Sequence, residues 1–361
     1  MSDPAAVTKA VGLHEQSLRE RAAGRPSEGL RAAERALSIL ERESGLTSPD
    51  VAGVLNSTGA LREDLSDYPA AEADYRRAGE ILAALDCRGE DMTRLQVRTT
   101  SNLARINRIQ GRLTEAERLF LEAITMAERE LDPDGLELPS LFNDLAVTYK
   151  YAGRFDEAEA LYRRALAAIE ARLGPRHPEA AAIWHNLGGI EHARGRHAEG
   201  EPYARRSVEI REAALGPEHP AVAADVAALA ALVQGQGRLN EAEALYQRAI
   251  AIFEAALGPD HYELAVNCNN LGALKAAQGR PDEAEAFYGR ALEIKELLLG
   301  ADHPDVAMTV YNLGVLRVDQ GRVEEAERLL TRALGIFETT LGADHPKTRT
   351  CQDRLAELSP R

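Results

Sequence analysis

Three arginines and an asparagine stand close together in the chain at spacings suited to binding anions. Arg98, Arg105 and Arg108 are seven and three residues apart, and Asn102 follows the first of them by four. Residues at three-, four- and seven-residue steps share one face of an α-helix, so these side chains would form a single stripe. A basic stripe is unexpected in a chain with a formal net charge of −15. It could bind carboxylates through charge-assisted hydrogen bonds, or it could be a solvated face that contributes little.

Similar residues recur 42 positions later. Lys150 takes the place of Arg108, and Asn143 stands beside the counterpart of Asn102. The residue nine positions before each recurring turn glycine is an asparagine in most copies. In chain order these residues are Asn102, Asp144, Asn186, Ala228, Asn270 and Asn312. A carboxamide offers a donor and an acceptor to the backbone of an extended peptide. It could also bond a neighbouring helix, as buried polar groups do, and both can hold at once. The alanine pair at 227–228 would leave a smooth floor in one copy.

The spacing of the histidines argues against a metal site. Four of them recur once per repeated unit, at His177, His219, His303 and His345. Helix diameters of about 8 to 10 Å each would separate them, whereas zinc bonds are ~2 Å long. His185 and His192 share a helix face but would lie about 10 Å apart at 1.5 Å per residue. We expect the recurring four to occupy junctions between helices and His185 to line a groove, with no metal and no cofactor.

Sequence signatures of catalysis are missing. The chain contains no Gly-x-x-x-x-Gly-Lys-Ser/Thr loop, no His-Glu-x-x-His and no Gly-x-Ser-x-Gly, and these motifs accompany phosphate binding, zinc hydrolysis and serine nucleophiles. We therefore expect a protein that is not an enzyme.

One repeated unit supplies the elements that position these side chains. Steps of 42 residues back from Gly321 reach five more glycines followed by arginine, at 279, 237, 195, 153 and 111, and earlier turns fall near 66 and 24. Each unit has the apolar pattern of two helices. Such a hairpin cannot bury its apolar face alone and must stack on neighbours. The sequence predicts an all-α solenoid, a single domain over residues 1–361 with about eight antiparallel helix pairs and a C-terminal capping helix over 346–361.

The fifth copy contains a local conflict. It has Gly200-Glu201-Pro202 where other copies have Ala-Glu-Ala or Ala-Glu-Arg. A proline inside a helix clashes with the carbonyl four residues earlier, so we expect the second helix of this copy to start late.

Composition restricts the possible partners and the compartment. The acidic charge argues against nucleic acid, whose phosphates require a basic surface. No stretch of about 18 apolar residues is long enough for a membrane span, and the N-terminus lacks a signal pattern, so we expect a cytoplasmic protein. Cys87, Cys268 and Cys351 lack the spacing of a disulfide framework or a zinc site, and we expect reduced packing residues.

The repeated unit resembles the tetratricopeptide repeat (TPR) family, and especially the 42-residue repeats of kinesin light chains. The resemblance lies in Asn269-Asn270-Leu271-Gly272, Gly279-Arg280-Pro281-Asp282-Glu283-Ala284-Glu285, Arg290-Ala291-Leu292-Glu293-Ile294, Leu299-Gly300 and His303-Pro304. It implies a right-handed TPR superhelix whose first helices line a concave groove. Kinesin light chain repeats take acidic peptides with an aromatic anchor there. Those proteins also carry a heptad coiled coil before their repeats, whereas here the repeats begin near residue 5, so we extend the resemblance to the repeats and not to the motor role.

These patterns together predict an adaptor or scaffold that binds an extended, acidic peptide or protein segment in the concave groove. The residues predicted to contact it are Arg98, Asn102, Arg105, Arg108, Asn143, Lys150, His185, Asn186, Asn270 and Asn312. Two alternatives remain open at this point. One is a self-assembling structural scaffold, and the other is a regulatory sensor module that acts with a separate effector enzyme.

Overall fold

All regular secondary structure in the described part of the chain is α-helical. The structure is a computed structural model that describes residues 3–85, 89–133 and 135–358. Its helices are α1 (Pro4–Ala22), α2 (Pro26–Ser44), α3 (Pro49–Asp64), α4 (Tyr68–Ala84), α5 (Glu90–Ile109), α6 (Leu113–Glu130), α7 (Glu137–Tyr151), α8 (Phe155–Leu173), α9 (Pro178–Ala193), α10 (His197–Leu215), α11 (Pro220–Gly235), α12 (Leu239–Leu257), α13 (Tyr262–Ala277), α14 (Pro281–Leu299), α15 (Pro304–Asp319), α16 (Val323–Leu341) and α17 (Pro346–Ala356).

The helices form two compact units. Unit 1 is Met1–Pro175 and holds α1 to α8, and unit 2 is Arg176–Arg361 and holds α9 to α17. Within each unit, successive helices pair as antiparallel hairpins, an A helix followed by a B helix, and each hairpin packs on the next. We number the eight hairpins repeats 1 to 8, and α17 follows them. The predicted all-α solenoid of antiparallel helix pairs is confirmed.

The turn between the two helices of a repeat depends on a left-handed backbone conformation. Gly111 has φ of +78°, and Ser66 has +60° at the matching position of repeat 2. In repeat 3 the amide of Arg112 donates to the carbonyl of Asn107 at 2.8 Å, which closes the end of α5 as a Schellman turn does. We use the turn residue as the reference point of each repeat: residues 24, 66, 111, 153, 195, 237, 279 and 321.

Small side chains let the two helices of a repeat approach closely. The residues five and twelve after the turn residue are alanines in most B helices, for example Ala158 and Ala165 in α8, and both are fully buried. In α10 the same positions are Gly200 and Ser207, which are also buried. Because protein interiors are close-packed, a larger side chain here would push the helices apart.

The arginine after the turn glycine bonds the preceding repeat. In unit 1, Arg154 contacts Glu117 at 2.7 Å, and in unit 2, Arg280 contacts Glu243 at 2.8 Å. The two partners are 37 residues apart in each case. Each arginine also pairs with a glutamate in the first turn of its own B helix. These ion pairs explain why the glycine-arginine pair recurs with the period of the fold.

Histidines begin the helices α9, α11, α13, α15 and α17. At His219, for example, ring Nδ1 accepts a hydrogen bond from the backbone N–H of Ala221 at 3.1 Å. The ring nitrogen thus acts as an N-cap, a position usually held by Ser, Thr, Asp or Asn. A proline or tyrosine follows as the first helical residue. The expected junction role of His177, His219, His303 and His345 therefore has a specific basis, because all four are N-caps.

The expectation that the B helix of repeat 5 starts late is wrong. α10 begins at His197, two residues after Gly195, in the same register as other repeats, and Pro202 lies inside it. Pro202 is exposed near the helix start. The carbonyl of Ala198 that loses its N–H partner there is on an exposed residue and can bond water, so the helix continues.

Two further expectations concern membranes and cysteines. Across the described ranges, no helix combines the length and apolar character that crossing a bilayer requires. Cys268 and Cys351 are buried and free, which agrees with their expected packing role, and Cys87 lies outside the described residues.

Candidate functional site

The predicted cationic stripe lies on two A helices of unit 1. Arg98, Asn102, Arg105 and Arg108 are on α5, and Asn143 and Lys150 are on α7. The four residues of α5 differ in exposure: Arg98 is exposed, Asn102 is buried, and Arg105 and Arg108 are half-buried. Part of the predicted stripe is therefore exposed to solvent, and part of it is packed between helices.

Arg105 already has a carboxylate partner. Its Nε and Nη2 donate to the two carboxylate oxygens of Glu63 on α3, at 3.0 and 2.8 Å. The hydroxyl of Tyr75 on α4 donates to the same carboxylate. Burial opposes the charge of Arg105, but the hydrogen bonds and the attraction of Glu63 outweigh it and raise the arginine's pKa. We call Glu63, Tyr75 and Arg105 the Glu63 network.

Asn102 is also used within the protein. Its Nδ2 donates to Oδ1 of Asn56 at 3.2 Å, and its Oδ1 accepts from Arg105 at 3.1 Å. Asn56 in turn donates to Thr99 Oγ1 at 2.7 Å. The amide thus bonds α3 to α5, which supports the structural alternative for this asparagine.

Repeat 4 has the same layout as repeat 2 with a different residue at the key position. The tyrosines nine residues after the turn, Tyr75 and Tyr162, are both fully buried. The residue three before the turn is Glu63 in repeat 2 and Lys150 in repeat 4. Gln234 takes this position in repeat 6, and Tyr246 donates to it at 3.2 Å. In repeat 4, by contrast, the Tyr162 hydroxyl has no hydrogen-bond partner among the described residues.

The side chain of Lys150 has neither a hydrogen bond nor an ion pair within the described part of the chain. Its side chain is half-buried, and burial lowers the pKa of its amine. A half-buried ammonium without a carboxylate is costly, since its hydration is only partly replaced.

Arg108 is the counterpart of Lys150 in repeat 3. Its Nε is buried without a hydrogen-bond partner among the described residues. Its guanidinium lies 5.8 Å from the ring centre of Tyr151, a residue that is 69% exposed. Burial raises the pKa of the Tyr162 hydroxyl, and the positive charge of Arg108 acts to lower it. Arg108 therefore lies close to side chains of repeat 4.

Asp144 is the one acidic residue near these cations on α7. Burial raises the pKa of its carboxyl, while the charges of Arg105 and Arg108 act in the opposite direction. Its Oδ1 accepts a hydrogen bond from Asn143 Nδ2 at 3.4 Å. Arg98, further toward the start of α5, is exposed and forms no ion pair in the described ranges.

The predicted amides of unit 2 differ in their use. Asn312 on α15 donates to Oδ1 of Asn269 on α13 at 3.1 Å, and Asn186 on α9 also has an interaction partner. Asn270 on α13 is half-buried and makes no hydrogen bond within the described residues. On α11 the position equivalent to Asn269 is Ala227, which lacks the side-chain oxygen that Asn312 uses. The alanine floor thus leaves Asn270 available.

His185 bonds a buried aspartate that the sequence did not single out. Its Nδ1 lies 2.7 Å from Oδ1 of Asp225 on α11. Asp225 is 1% exposed, accepts a hydrogen bond from Ser207 at 2.5 Å and forms an ion pair with Arg211 at 2.6 Å. Serine bonds the aspartate and not the histidine, so the imidazole cannot take the serine proton as a catalytic triad requires. The sequence did contain one sign of this buried aspartate, because its partner Ser207 replaces the alanine that other repeats have at the same position.

Potential metal ligands do not converge in the described part of the chain. Across the ranges 3–85, 89–133 and 135–358, no group of three His, Cys, Asp or Glu side chains is arranged to hold an ion.

The sequence matches the family model of the tetratricopeptide repeat. The matched segments are residues 95–178, 179–255, 222–296, 266–339 and 305–358. Among curated proteins, none matches the sequence.

Three solved structures with a similar fold are informative. A variant of a kinesin light chain candidate from Podosopora anserina with nearly identical TPR-like repeats is 25% identical, with a TM-score of 0.50 over 59% of this chain and 99% of its own. The apo form of RapI is 13% identical, with a TM-score of 0.61 over 80% of this chain and 97% of its own. A Rap protein complexed with competence and sporulation factor is 14% identical, with a TM-score of 0.58 over 98% of this chain and 100% of its own.

Proposed function

Because the chain belongs to the tetratricopeptide repeat family, we propose that it is a non-catalytic interaction scaffold that binds an extended, acidic segment of a partner protein. The segment lies along the A helices of each unit, in the concave groove expected of this family. The Rap protein shows that this fold can hold a bound factor.

One observation carries the proposal. Arg98, Arg108 and Lys150 form no ion pair within the described residues, although the chain contains 58 acidic residues against 43 Lys and Arg. Elsewhere in unit 1, arginines such as Arg105 and Arg154 are paired with glutamates. Cations that stay unpaired in so acidic a protein are suited to the carboxylates of another chain.

The amides have a second role in the proposal. Asn270 on α13 offers both a donor and an acceptor to an extended backbone. Asn186 on α9 and Asn312 on α15, which also have partners within the protein, extend this role along the A helices of the same unit. The small side chains at 227–228 leave room for a bulky apolar side chain of the partner. Arg105, Asn102, Asn143 and His185 already have partners, so in this proposal they position the binding residues.

Selection of peptides by the intact protein tests the proposal. A random peptide library displayed on phage would be selected on the full chain, and the affinity of the resulting segments measured by calorimetry at two salt concentrations. We expect enrichment of Asp and Glu. The variant Arg98→Gln/Arg108→Gln/Lys150→Met should bind at least about a hundredfold more weakly, because charge-assisted bonds are worth about 1.5 to 3 kcal/mol each. Its binding should also depend less on salt.

A matched control separates local contacts from net charge. Arg118, Arg129 and Arg163 lie exposed on B helices of the same unit, and changing all three to glutamine removes the same charge. We expect the control to retain affinity within about threefold. Selected segments without acidic enrichment, or an equal loss in both triple variants, would disprove binding along the A helices.

A further inference from the structure

A buried carboxylate in unit 2 holds one edge of a half-exposed histidine. Asp225 on α11 is 1% exposed, and its Oδ1 lies 2.7 Å from Nδ1 of His185 on α9. Its Oδ2 accepts from the hydroxyl of Ser207 at 2.5 Å and forms an ion pair with Arg211 at 2.6 Å. Both oxygens of the carboxylate are therefore engaged. We call these four residues the Asp225 network.

The contacts of Asp225 decide which nitrogen of the imidazole carries the proton. A carboxylate can only accept hydrogen bonds, so the nitrogen that faces it, Nδ1 of His185, is the protonated one. Arg211 already supplies a positive charge to balance Asp225, so a neutral imidazole completes the network. In a neutral ring with its proton on Nδ1, the other nitrogen, Nε2, has a free lone pair and acts as an acceptor.

This second nitrogen is accessible. The side chain of His185 is 35% exposed, whereas that of Asp225 is 1% exposed. Within the described ranges Nε2 makes no hydrogen bond, and unlike the buried hydroxyl of Tyr162 it is open to solvent. Because Nδ1 points inward to the carboxylate, the exposed edge of the ring is the one that carries Nε2.

The histidines that begin helices in unit 2 have the opposite arrangement. Nδ1 of His219, for example, accepts from a backbone N–H, so a neutral ring there carries its proton on Nε2. The same contact is made by His177, His261, His303 and His345. Among these six rings, His185 is thus the one that presents an acceptor at Nε2.

We propose that Nε2 of His185 binds a hydrogen-bond donor of the partner segment, and that the Asp225 network holds it in the accepting form. The inference rests on the proposed function and specifies what the segment carries where it crosses α9. The ligand is an uncharged N–H or O–H group, either a backbone amide or a side-chain hydroxyl. A carboxylate does not suit this position, because it has no proton to offer to a bare nitrogen. An ammonium does not suit it either, because the charge of Asp225 is already balanced by Arg211.

NMR of the full chain labelled with nitrogen-15 histidine tests the first half of the proposal, because protonated and bare ring nitrogens resonate far apart. The chain has nine histidines, and His185→Asn identifies the signal of interest. In mildly alkaline buffer we expect His185 to carry its proton on Nδ1 and the five histidines that begin helices to carry it on Nε2. A His185 ring with its proton on Nε2 would overturn the inference.

Three capped tripeptides test the class of ligand. They are Gly-Ser-Gly, Gly-Ala-Gly and a sarcosine trimer, in which methyl groups replace the backbone N–H hydrogens. We expect the serine peptide to move the Nε2 signal of His185 saturably and the sarcosine peptide to leave it in place. Movement by Gly-Ala-Gly as well would identify a backbone amide as the donor, and movement by Gly-Ser-Gly alone would identify a hydroxyl. A signal that neither peptide moves, or that the sarcosine peptide moves equally, would overturn the inference.

Asparagine at position 185 separates the roles of the two ring nitrogens. Its amide nitrogen takes the place of Nδ1 and can still donate to Asp225, but no atom takes the place of Nε2. We expect His185→Asn to keep the urea midpoint of the unaltered protein and to bind the serine peptide about threefold to tenfold more weakly, as the loss of one neutral hydrogen bond implies. His219→Asn is the matched control. It keeps an acceptor at the start of α11 and should bind the peptide as the unaltered protein does. Equal affinity in His185→Asn would refute the role of Nε2.

The peptide selection described above gives a separate answer. Its acidic enrichment depends on the cations of unit 1, so selected acidic segments together with an unresponsive His185 would refute this subsite and leave the scaffold function intact. A responsive His185 without selected acidic segments would do the reverse.

Discussion

Repeats 2 and 4 place a buried tyrosine nine residues after the turn and carry opposite charges three residues before it. In repeat 2, the Tyr75 hydroxyl donates to Glu63, which also holds Arg105. In repeat 4, the residue at the position of Glu63 is Lys150, and neither its amine nor the Tyr162 hydroxyl has a partner in the described chain. The backbone arrangement is shared, so the difference comes from one side chain three residues before the turn.

The comparison separates two uses of a repeated fold. Where the position carries a glutamate, the polar groups of three helices satisfy one another and strengthen the stack. Where it carries a lysine, the lysine amine and the tyrosine hydroxyl have no partner in the described chain. The groove contacts that we propose therefore follow gaps in internal pairing more closely than they follow charge.

Loss of the glutamate in repeat 2 should have the largest effect on stability. Glu63→Ala leaves Arg105 and the Tyr75 hydroxyl without their acceptor, and we expect the free energy of unfolding to fall by about 3 kcal/mol. Urea denaturation followed by circular dichroism measures it. The double variant Glu63→Ala/Arg105→Met should recover part of the loss, because no charge is left unpaired. A double variant as unstable as the sum of its parts would show that the three residues do not act as a network.

The asparagines of the A helices should likewise fall into two groups, those bonded within the protein and those without an internal partner. Asn102→Ala should cost about 1 to 2 kcal/mol, because it removes a partner from Asn56 and from Arg105. Asn270→Ala should change stability by less than about 0.5 kcal/mol, as is usual for a side chain without internal bonds. The two unfolding curves, recorded side by side, check this. Equal losses would mean that Asn270 is structural.

Lys150→Met should stabilise the protein by about 1 kcal/mol near neutral pH, the opposite sign to Glu63→Ala. Burial lowers the pKa of Lys150 in the folded state, so the unfolded chain binds its proton more readily. The cost is fully present below the lowered pKa and disappears as pH rises past the unfolded value. The melting temperatures of the unaltered protein and of Lys150→Met should differ at pH 7 and become equal in alkaline buffer. Lys9→Met, an exposed site on α1, is the control and should show no change at either pH.

The smallest effect is expected in α10, outside repeats 2 and 4, and it provides a reference for the size of the other changes in stability. Pro202→Ala restores one backbone hydrogen bond on an exposed face of a helix that already starts at His197. We expect a gain of up to about 1 kcal/mol in the same denaturation assay. A loss of stability would show that the ring of Pro202 makes contacts that outweigh the missing bond.

The fold was predictable because the turn glycines from Gly111 to Gly321 keep a strict 42-residue period, and because apolar positions within each period follow a helical pattern. The turn near residue 66 was also predictable, because it lies 42 residues after Gly24, although Ser66 replaces glycine there. The position of the α10 start was not, since an exposed proline costs less than the general rule implies. The sequence could not show which carbonyl would be left to solvent.

The site was predictable only as a stripe. Spacing placed Arg98, Arg105 and Arg108 on one helix face, but Arg105 and Asn102 bond residues of the preceding A helix, 42 and 46 positions earlier. Helical periodicity within one element carries no information about such contacts. A signal did exist across repeats, since the pairs Glu63–Tyr75 and Gln234–Tyr246 are both twelve residues apart. Comparing Lys150 with those positions would have indicated the unsatisfied tyrosine.

The histidine caps make the starts of five helices in unit 2 depend on one ring nitrogen each. The helices α9, α11, α13, α15 and α17 begin in this way, whereas α1 and α3 of unit 1 are capped by Asp3 and Ser48. A lost N-cap costs about 1 kcal/mol. Replacing one of these histidines by alanine should therefore loosen the first turn of its helix, whereas asparagine, which also accepts at an N-cap, should preserve it, and hydrogen exchange at α9 to α17 would reveal the difference.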